Sequence, residues 1–524
     1  MLNNPSLNLG EGSLLSNERA AGRARRDRWI AVALAMLVCL WPVLSYPLPP
    51  LADYANHLAR MYIIQALPHD PVLAHYYEID WQVVPNLAMD ILVPPLVPFL
   101  GIYMAGQAFT VLIFASMMSG TFVLGRVLFG RWTLTPIFGA PFLYNEMLLV
   151  GGLNYLLGIG LALWALAAWY CLEGRATVLR LLAAAAMVGV LFFCHLYAVG
   201  IFGIGVLAGE VRRFATSDRP LPDRIIAFCL PGFAFVPVAG LLLSSRTVGL
   251  SGKYYWDMKG KLSGLWDSIV TYSDTVTLVL VSGLIAAAVI AVRRGRVEAH
   301  PLAVTMLGIA GLVYLALPRM LFDTYMADLR LPIAILLLLF ATVDLVLPRR
   351  EALVIMAIAV AMTLVRSIEI RDNWQSAARE TKAVEAALMH LKPGARLLTV
   401  TADDSKGTEP DELGLDHAAS LASILRSALT TRTFTVAGKQ ILAVKPAFRN
   451  HVDQLDGSPP DLRMFQEYAR SNDPAKYIYW HDWTERFDNV LVIFTPKRFS
   501  NPSPGALDLL AAGDRFALYA VRHP

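Results

Sequence analysis

Asp53 sits in the polar run Tyr46-Pro-Leu-Pro-Pro-Leu-Ala-Asp-Tyr-Ala-Asn-His-Leu-Ala-Arg60, directly after the first long apolar segment, Trp29 to Ser45. An acid just past a membrane span lies at a water–lipid boundary. There it can work on a substrate whose other end is anchored in lipid. A carboxylate can take a proton from a hydroxyl, and a guanidinium can hold a phosphate. Asn56, His57 and Arg60 add an amide, an imidazole and a cation to the same stretch. Asp53 also stands where an N-cap would stand for a helix expected over 54–66.

Other residues could join this chemistry, and each has a plainer reading. Asp90 and Glu146 are rare acids beside apolar segments, where a charge is costly and tends to be functional or paired. Asn154 follows Gly151-Gly152, which reads either as a tight turn or as part of a site. His195 and Tyr197 share one turn, where the histidine is either a bonded core residue or a contact for a donor phosphate. Lys253 and Tyr255 lie in a polar loop with Arg246, Tyr254 and Trp256, whose rings suit an interfacial belt or a stack on a sugar. Arg319 and Arg330 flank a polar turn and either snorkel to headgroups or hold a phosphate. Asp53, Asp90 and Glu146 could approach each other around a divalent ion, Mg or Mn, but no ligand spacing demonstrates one.

The elements that position these residues are membrane helices. Of the 524 residues, 56% are hydrophobic and only 16% charged, against about 25% charged in a soluble domain. Apolar runs of roughly 17–25 residues, the length needed to cross a bilayer, recur from Trp29 to Arg366. Arg23, Arg25, Arg26 and Arg28 precede the first run and place the N-terminus in the cytoplasm. No small-x-small cleavage site follows that run, so it reads as a span and not as a signal peptide. The basic turns at Arg126/Arg131, Arg175/Arg180, Arg212/Arg213, Arg293/Arg294/Arg296 and Arg349/Arg350 can all be cytoplasmic. That requires spans at 29–45, 108–128, 133–150, 154–172, 179–195, 197–211, 224–243, 275–292, 302–317, 331–347 and 351–366. The Pro-rich stretch 85–101 reads as a kinked or re-entrant piece, and counting it as a span raises the number.

This pattern divides the chain into a disordered cytoplasmic tail (1–28), a membrane part (29–368, first outer loop about 47–90) and an extracytoplasmic α/β domain (369–524). In the last part a helix is expected over 372–391 and another over 416–429. Strands are expected over 396–400, 440–444, 489–494 and 516–521. Cys39, Cys171, Cys194 and Cys229 lie in or beside apolar segments and read as core residues. Ser251-Gly-Lys253 lacks the upstream glycine of a phosphate-binding loop, and no HExxH, CxxC or GxSxG occurs.

Three stretches, Asp53-Tyr-Ala-Asn-His57, Pro94-Pro-Leu96 and Leu124-Gly-Arg-Val-Leu-Phe-Gly130, together with the order of spans and outer domain, resemble the GT-C glycosyltransferases over roughly 29–370. Tyr54 stands where the common family pair has a second acid. The resemblance implies an α-helical polytopic membrane fold of about 11–13 spans with a C-terminal soluble α/β domain. It also implies an inverting enzyme of the cytoplasmic membrane. Its donor would be a polyprenyl-phosphate-linked sugar, and its acceptor a lipid, a glycan or a protein. Asp53 would be the base. Membrane lipids are expected partners, and nucleic acid is not. Two other readings stand beside this one: a non-enzymatic glycan- or lipid-handling subunit or flippase, and a polysaccharide ligase or polymerase that relies on the outer arginines.

Overall fold

The computed structural model describes residues 8–250, 254–321, 324–403, 412–454, 458–468 and 479–523. Among the described residues, seven helices are long and apolar enough to cross a membrane: Gly22–Ser45, Ile102–Phe129, Leu153–Cys171, Thr177–Cys194, Leu221–Ser244, Asp274–Arg293 and Arg349–Leu388. The chain is a multi-pass membrane protein.

Four expected spans take other forms. Leu196–Thr216 is a 21-residue helix that carries Glu210, Arg212 and Arg213 towards its end. Leu302–Ala316 and Leu331–Thr342 have 15 and 12 residues. The expected span 133–150 is a 3-10 helix, Thr135–Phe142, followed by the short helix Glu146–Leu149. Pro136 and Pro141 remove backbone donors and prevent a regular α-helix there. Such backbone is tolerated at membrane depth only when protein covers it, and residues 133–145 are all buried.

Two further expectations change. The tail expected to be disordered is helical from Asn8 onward, continuous with the first span to Ser45. The helix expected separately over 372–391 is the continuation of Arg349–Leu388, a stretch with neither proline nor glycine to break it. The stretch 85–101 is broken as expected into Ala88–Leu92, Pro94–Leu96 and Val97–Leu100. Gly101, at φ 74°, then turns the chain into the next span.

Helices of the bundle approach closely where residues are small. A Cβ on Gly120 would lie 2.7 Å from the Gly160 carbonyl oxygen, and one on Gly160 would lie 2.3 Å from Ser116 Oγ. Only residues without a side chain let these two backbones touch.

Beyond the bundle, five strands form one sheet in the order Leu429–Thr430, Arg396–Thr401, Asn489–Ile493, Phe516–Val521, Leu507–Ala512. The last two pairings are antiparallel and the first two parallel. Leu507–Ala512 was not expected, because its edge position leaves a mostly exposed stretch without alternation. The expected strand at 440–444 forms at Leu442–Val444 but leaves this sheet. It pairs antiparallel with Tyr77–Ile79 of the first loop. In place of one helix over 416–429 there are short turns at Leu413–Asp416, Ala418–Ser420 and Leu421–Arg426. The pairing of Tyr77–Ile79 with Leu442–Val444 puts the first loop and the C-terminal part on the same face of the bundle.

Candidate active site

Asp53 precedes the helix Tyr54–Ala66, but its side chain makes no capping hydrogen bond. The carboxylate instead faces a cavity of about 510 Å³ that His57, Arg60, Asn154, His195, Tyr197 and Arg330 also line. Thus seven of the residues singled out from sequence share one space. Asn56, Asp90, Glu146, Tyr255 and Arg319 are not among its lining residues. Lys253 lies outside the described residues.

A glycine lets Asp53 sit where it does. Gly151 has φ 91°, and a Cβ there would lie 2.7 Å from Asp53 Cβ. The turn is held from the other side by His57, whose Nε2 lies 3.1 Å from the Gly151 carbonyl oxygen. Burial, then the charge of Arg60, pushes His57 well below the ordinary 6.5. A neutral ring that donates to Gly151 is therefore a brace, not a cationic phosphate contact. The unfolded chain binds a proton at this ring below pH 6.5 and the folded chain resists it, so this contribution is lost as pH falls from 6.5. Melting curves should show a drop in Tm between pH 7 and pH 5 that is shallower in His57→Asn than in the wild type.

Behind Asp53 lies a group from the C-terminal part. His417 Nε2 is 3.4 Å from Asp53 Oδ1. Its Nδ1 is 3.0 Å from Asn56 Nδ2. The Asn56 amide is oriented because its Oδ1 accepts from Phe434 N at 2.9 Å, and its Nδ2 donates to the Arg432 carbonyl at 2.5 Å. With Nδ1 accepting from the amide, the ring proton is on Nε2 and faces Asp53, and the Arg432 guanidinium 3.3 Å from Nε2 is a charged neighbour and not a donor to it. Asn56 is thus a support for His417. Arg432 and Asp416 surround the same ring at 3.3 and 3.7 Å. Sequence reasoning missed His417: it lies 361 positions from Asn56, and Asp416-His417 carries no local signature. Replacing His417 with Ala removes the Nε2 contact to Asp53 and should lower any turnover that depends on this carboxylate by about 10- to 100-fold, the cost of a slightly misplaced group, with little change in KM. Steady-state kinetics on the purified variant checks this.

The far wall is cationic and aromatic. Arg330 Nη1 is 3.0 Å from His195 Nε2. Its guanidinium lies 5.9 Å from the Tyr155 ring centre and 5.6 Å from that of Tyr197. The rings of Tyr155, His195 and Tyr197 pack edge to face or tilted at 5.5–6.1 Å. Tyr155, which sequence reasoning also missed, donates its hydroxyl to the Arg330 carbonyl. Arg330 Nε and the Tyr197 hydroxyl have no hydrogen-bond partner among the described residues. Asn154 shapes the floor: its amide donates to Asn86 O and Oδ1 at 2.9 and 2.8 Å and accepts from Met89 N at 2.8 Å. Asn86 is held at φ 114°, a conformation a non-glycine residue rarely adopts unless its surroundings impose it.

The remaining candidates lie off the cavity. Asp90 is buried and pairs with Arg60 at 3.0 Å. Arg60 keeps Nε and Nη1 without a hydrogen-bond partner among the described residues and lines the cavity. Glu146 opens the short helix beside Asp53's turn, where its carbonyl accepts from Val150 N at 2.9 Å. The side chain of Tyr255 is exposed, and its carbonyl accepts from Arg319 N and Met320 N. Asp53, Asp90 and Glu146 do not converge. No group of three or more His, Cys, Asp or Glu suited to a metal occurs among the described residues.

No family model matches the chain, and no curated protein is similar to it in sequence. Solved structures are similar in fold. ArnT from Cupriavidus metallidurans in the apo state superposes with a TM-score of 0.52 at 12% identity, over 94% of this chain and 97% of that one. The same protein bound to undecaprenyl phosphate gives 0.48 at 12% identity over the same shares. The chain shares the fold of that first structure: a polytopic helical membrane part with a small C-terminal sheet.

Proposed function

We propose that this protein is an inverting membrane glycosyltransferase of the cytoplasmic membrane. It moves a sugar from a polyprenyl-phosphate-linked donor to a hydroxyl of a lipid, glycan or protein acceptor on the outer face. The observation that carries this reading is that Asp53, His195 and Arg330 line one cavity. The acceptor oxygen bonds to the anomeric carbon as the carbon–oxygen bond to phosphate breaks. Asp53 takes the acceptor's proton, and Arg330 with Arg60 holds the departing phosphate, where negative charge grows. His195 and Tyr197 orient Arg330, and Asn154 keeps the floor in shape. Residues 29–368 would then be the catalytic membrane part, and 369–524 an outer domain that delivers His417.

The test is transfer of labelled sugar from a polyprenyl-phosphate donor by the purified full chain, with candidate acceptors supplied as a panel. Donor binding without turnover, unchanged in Asp53→Asn, returns the protein to the non-enzymatic glycan- or lipid-handling reading. A reporter active only outside the cytoplasm, fused after Pro524, should signal if the orientation is right.

A further inference from the structure

A second cavity, of about 520 Å³, lies among the ends of the same helices that form the first. Leu153–Cys171 carries Asn154 at the Asp53 cavity near its start and Trp169 at the second near its end, with Glu173 just beyond the helix. Thr177–Cys194 runs back from Arg180 to His195, and Leu196–Thr216 returns from Tyr197 to Arg213. About 15 residues of helical rise separate the two, roughly 22 Å, close to the roughly 30 Å of a hydrocarbon core. The second cavity therefore lies near the opposite lipid–water boundary.

Its lining holds five arginines and two glutamates. Both acids are engaged with one of them: Arg213 pairs with Glu173 at 3.1 Å and with Glu210 at 2.8 Å. Arg180 lies flat on the buried Trp169, 3.6 Å from the ring centre. Its Nε and Nη2 are buried with no hydrogen-bond partner among the described residues. Arg224 lies 4.4 Å over Phe214 and donates one nitrogen to the Phe214 carbonyl, while its buried Nε has no such partner. Guanidinium nitrogens withheld from water are costly unless an acceptor meets them. The excess of positive charge calls for an anion with several oxygens. The apolar part of the wall, Leu181, Phe228 and Leu230, suits a chain attached to that anion.

We infer that this cavity binds the phosphate headgroup of an anionic membrane lipid through Arg180 and Arg224. Basic pockets between membrane helices hold such headgroups by charge and fork geometry.

The test uses the full chain in detergent, equilibrated with an equal mixture of phosphatidylglycerol and phosphatidylcholine and analysed by native mass spectrometry. The wild type should retain phosphatidylglycerol preferentially. The double variant Arg180→Gln/Arg224→Gln should lose that preference by about tenfold or more, with an unchanged melting curve. Should the double variant not yield monodisperse protein, Arg219→Gln, an exposed lining residue, replaces it and should lower the preference in the same direction. Equal retention by variant and wild type overturns the assignment. Displacement of the lipid by millimolar inorganic phosphate, with the same arginine dependence, overturns the lipid as ligand and assigns the cavity to a soluble phosphate.

Discussion

Asp53→Asn should leave expression and Tm near wild type and lower sugar transfer by about 10²–10⁴-fold, the usual cost of a lost general base. The variant is sharp because the helix beginning at Tyr54 takes nothing from this side chain: Asp53 makes no capping hydrogen bond. Asn has nearly the same shape, so the tight approach to Gly151 is kept. The His417 Nε2 proton can still be accepted by an amide oxygen. What disappears is the capacity to take a proton. Transfer assays beside melting curves check this. Near-full transfer in the variant would remove Asp53 as the base.

How much of this could be read from sequence differs from residue to residue. That Asp53, His57, Arg60, Asn154, His195, Tyr197 and Arg330 would gather in one space was legible, because polar side chains next to apolar runs are expensive and turn away from lipid towards one another. Their partition into roles was not. Arg60 and Asp90 both looked like site residues. That they hold each other at 3.0 Å is a contact between two elements, which spacing alone does not encode. His417 was illegible for the same reason at longer range, since Asn56 reaches it only through the docking of the C-terminal part. Among the spans, those of regular helix announced themselves by length. The crossing at 133–150 was visible as an apolar run, but its 3-10 form depends on Pro136 and Pro141 and on complete burial by its neighbours. The strand Leu442–Val444 was legible as a strand, while its partner, Tyr77–Ile79, was not.

Arg319 and Arg330 border the same turn and looked equivalent in sequence, yet their replacement should have opposite signatures. Arg319 Nε bonds Asp328 Oδ1 at 2.7 Å, and Lys261 Nζ bonds the other oxygen at 2.8 Å. Asp328 is fully buried, and Lys261 also donates to the carbonyls of Tyr314 and Leu317 at 3.1 and 2.6 Å. Breaking one side of a buried ion network costs about 3–5 kcal/mol, and Lys261 retains part of the compensation here. Arg319→Gln should therefore lower Tm by several degrees and leave donor affinity unchanged. Among the described residues no carboxylate pairs with Arg330, and its guanidinium rests on Tyr155, Tyr197 and His195. A hydrogen bond to a charged group is worth about 1.5–3 kcal/mol, so Arg330→Gln should weaken donor binding by about 10- to 100-fold at near wild-type Tm. Arg330→Lys should recover only part of it, since an ammonium keeps the charge but loses the planar fork. Titration of the two single variants with a polyprenyl-phosphate analogue separates them. Loss of donor affinity in Arg319→Gln with none in Arg330→Gln would reverse the assignment and move the phosphate site to the Asp328 cluster.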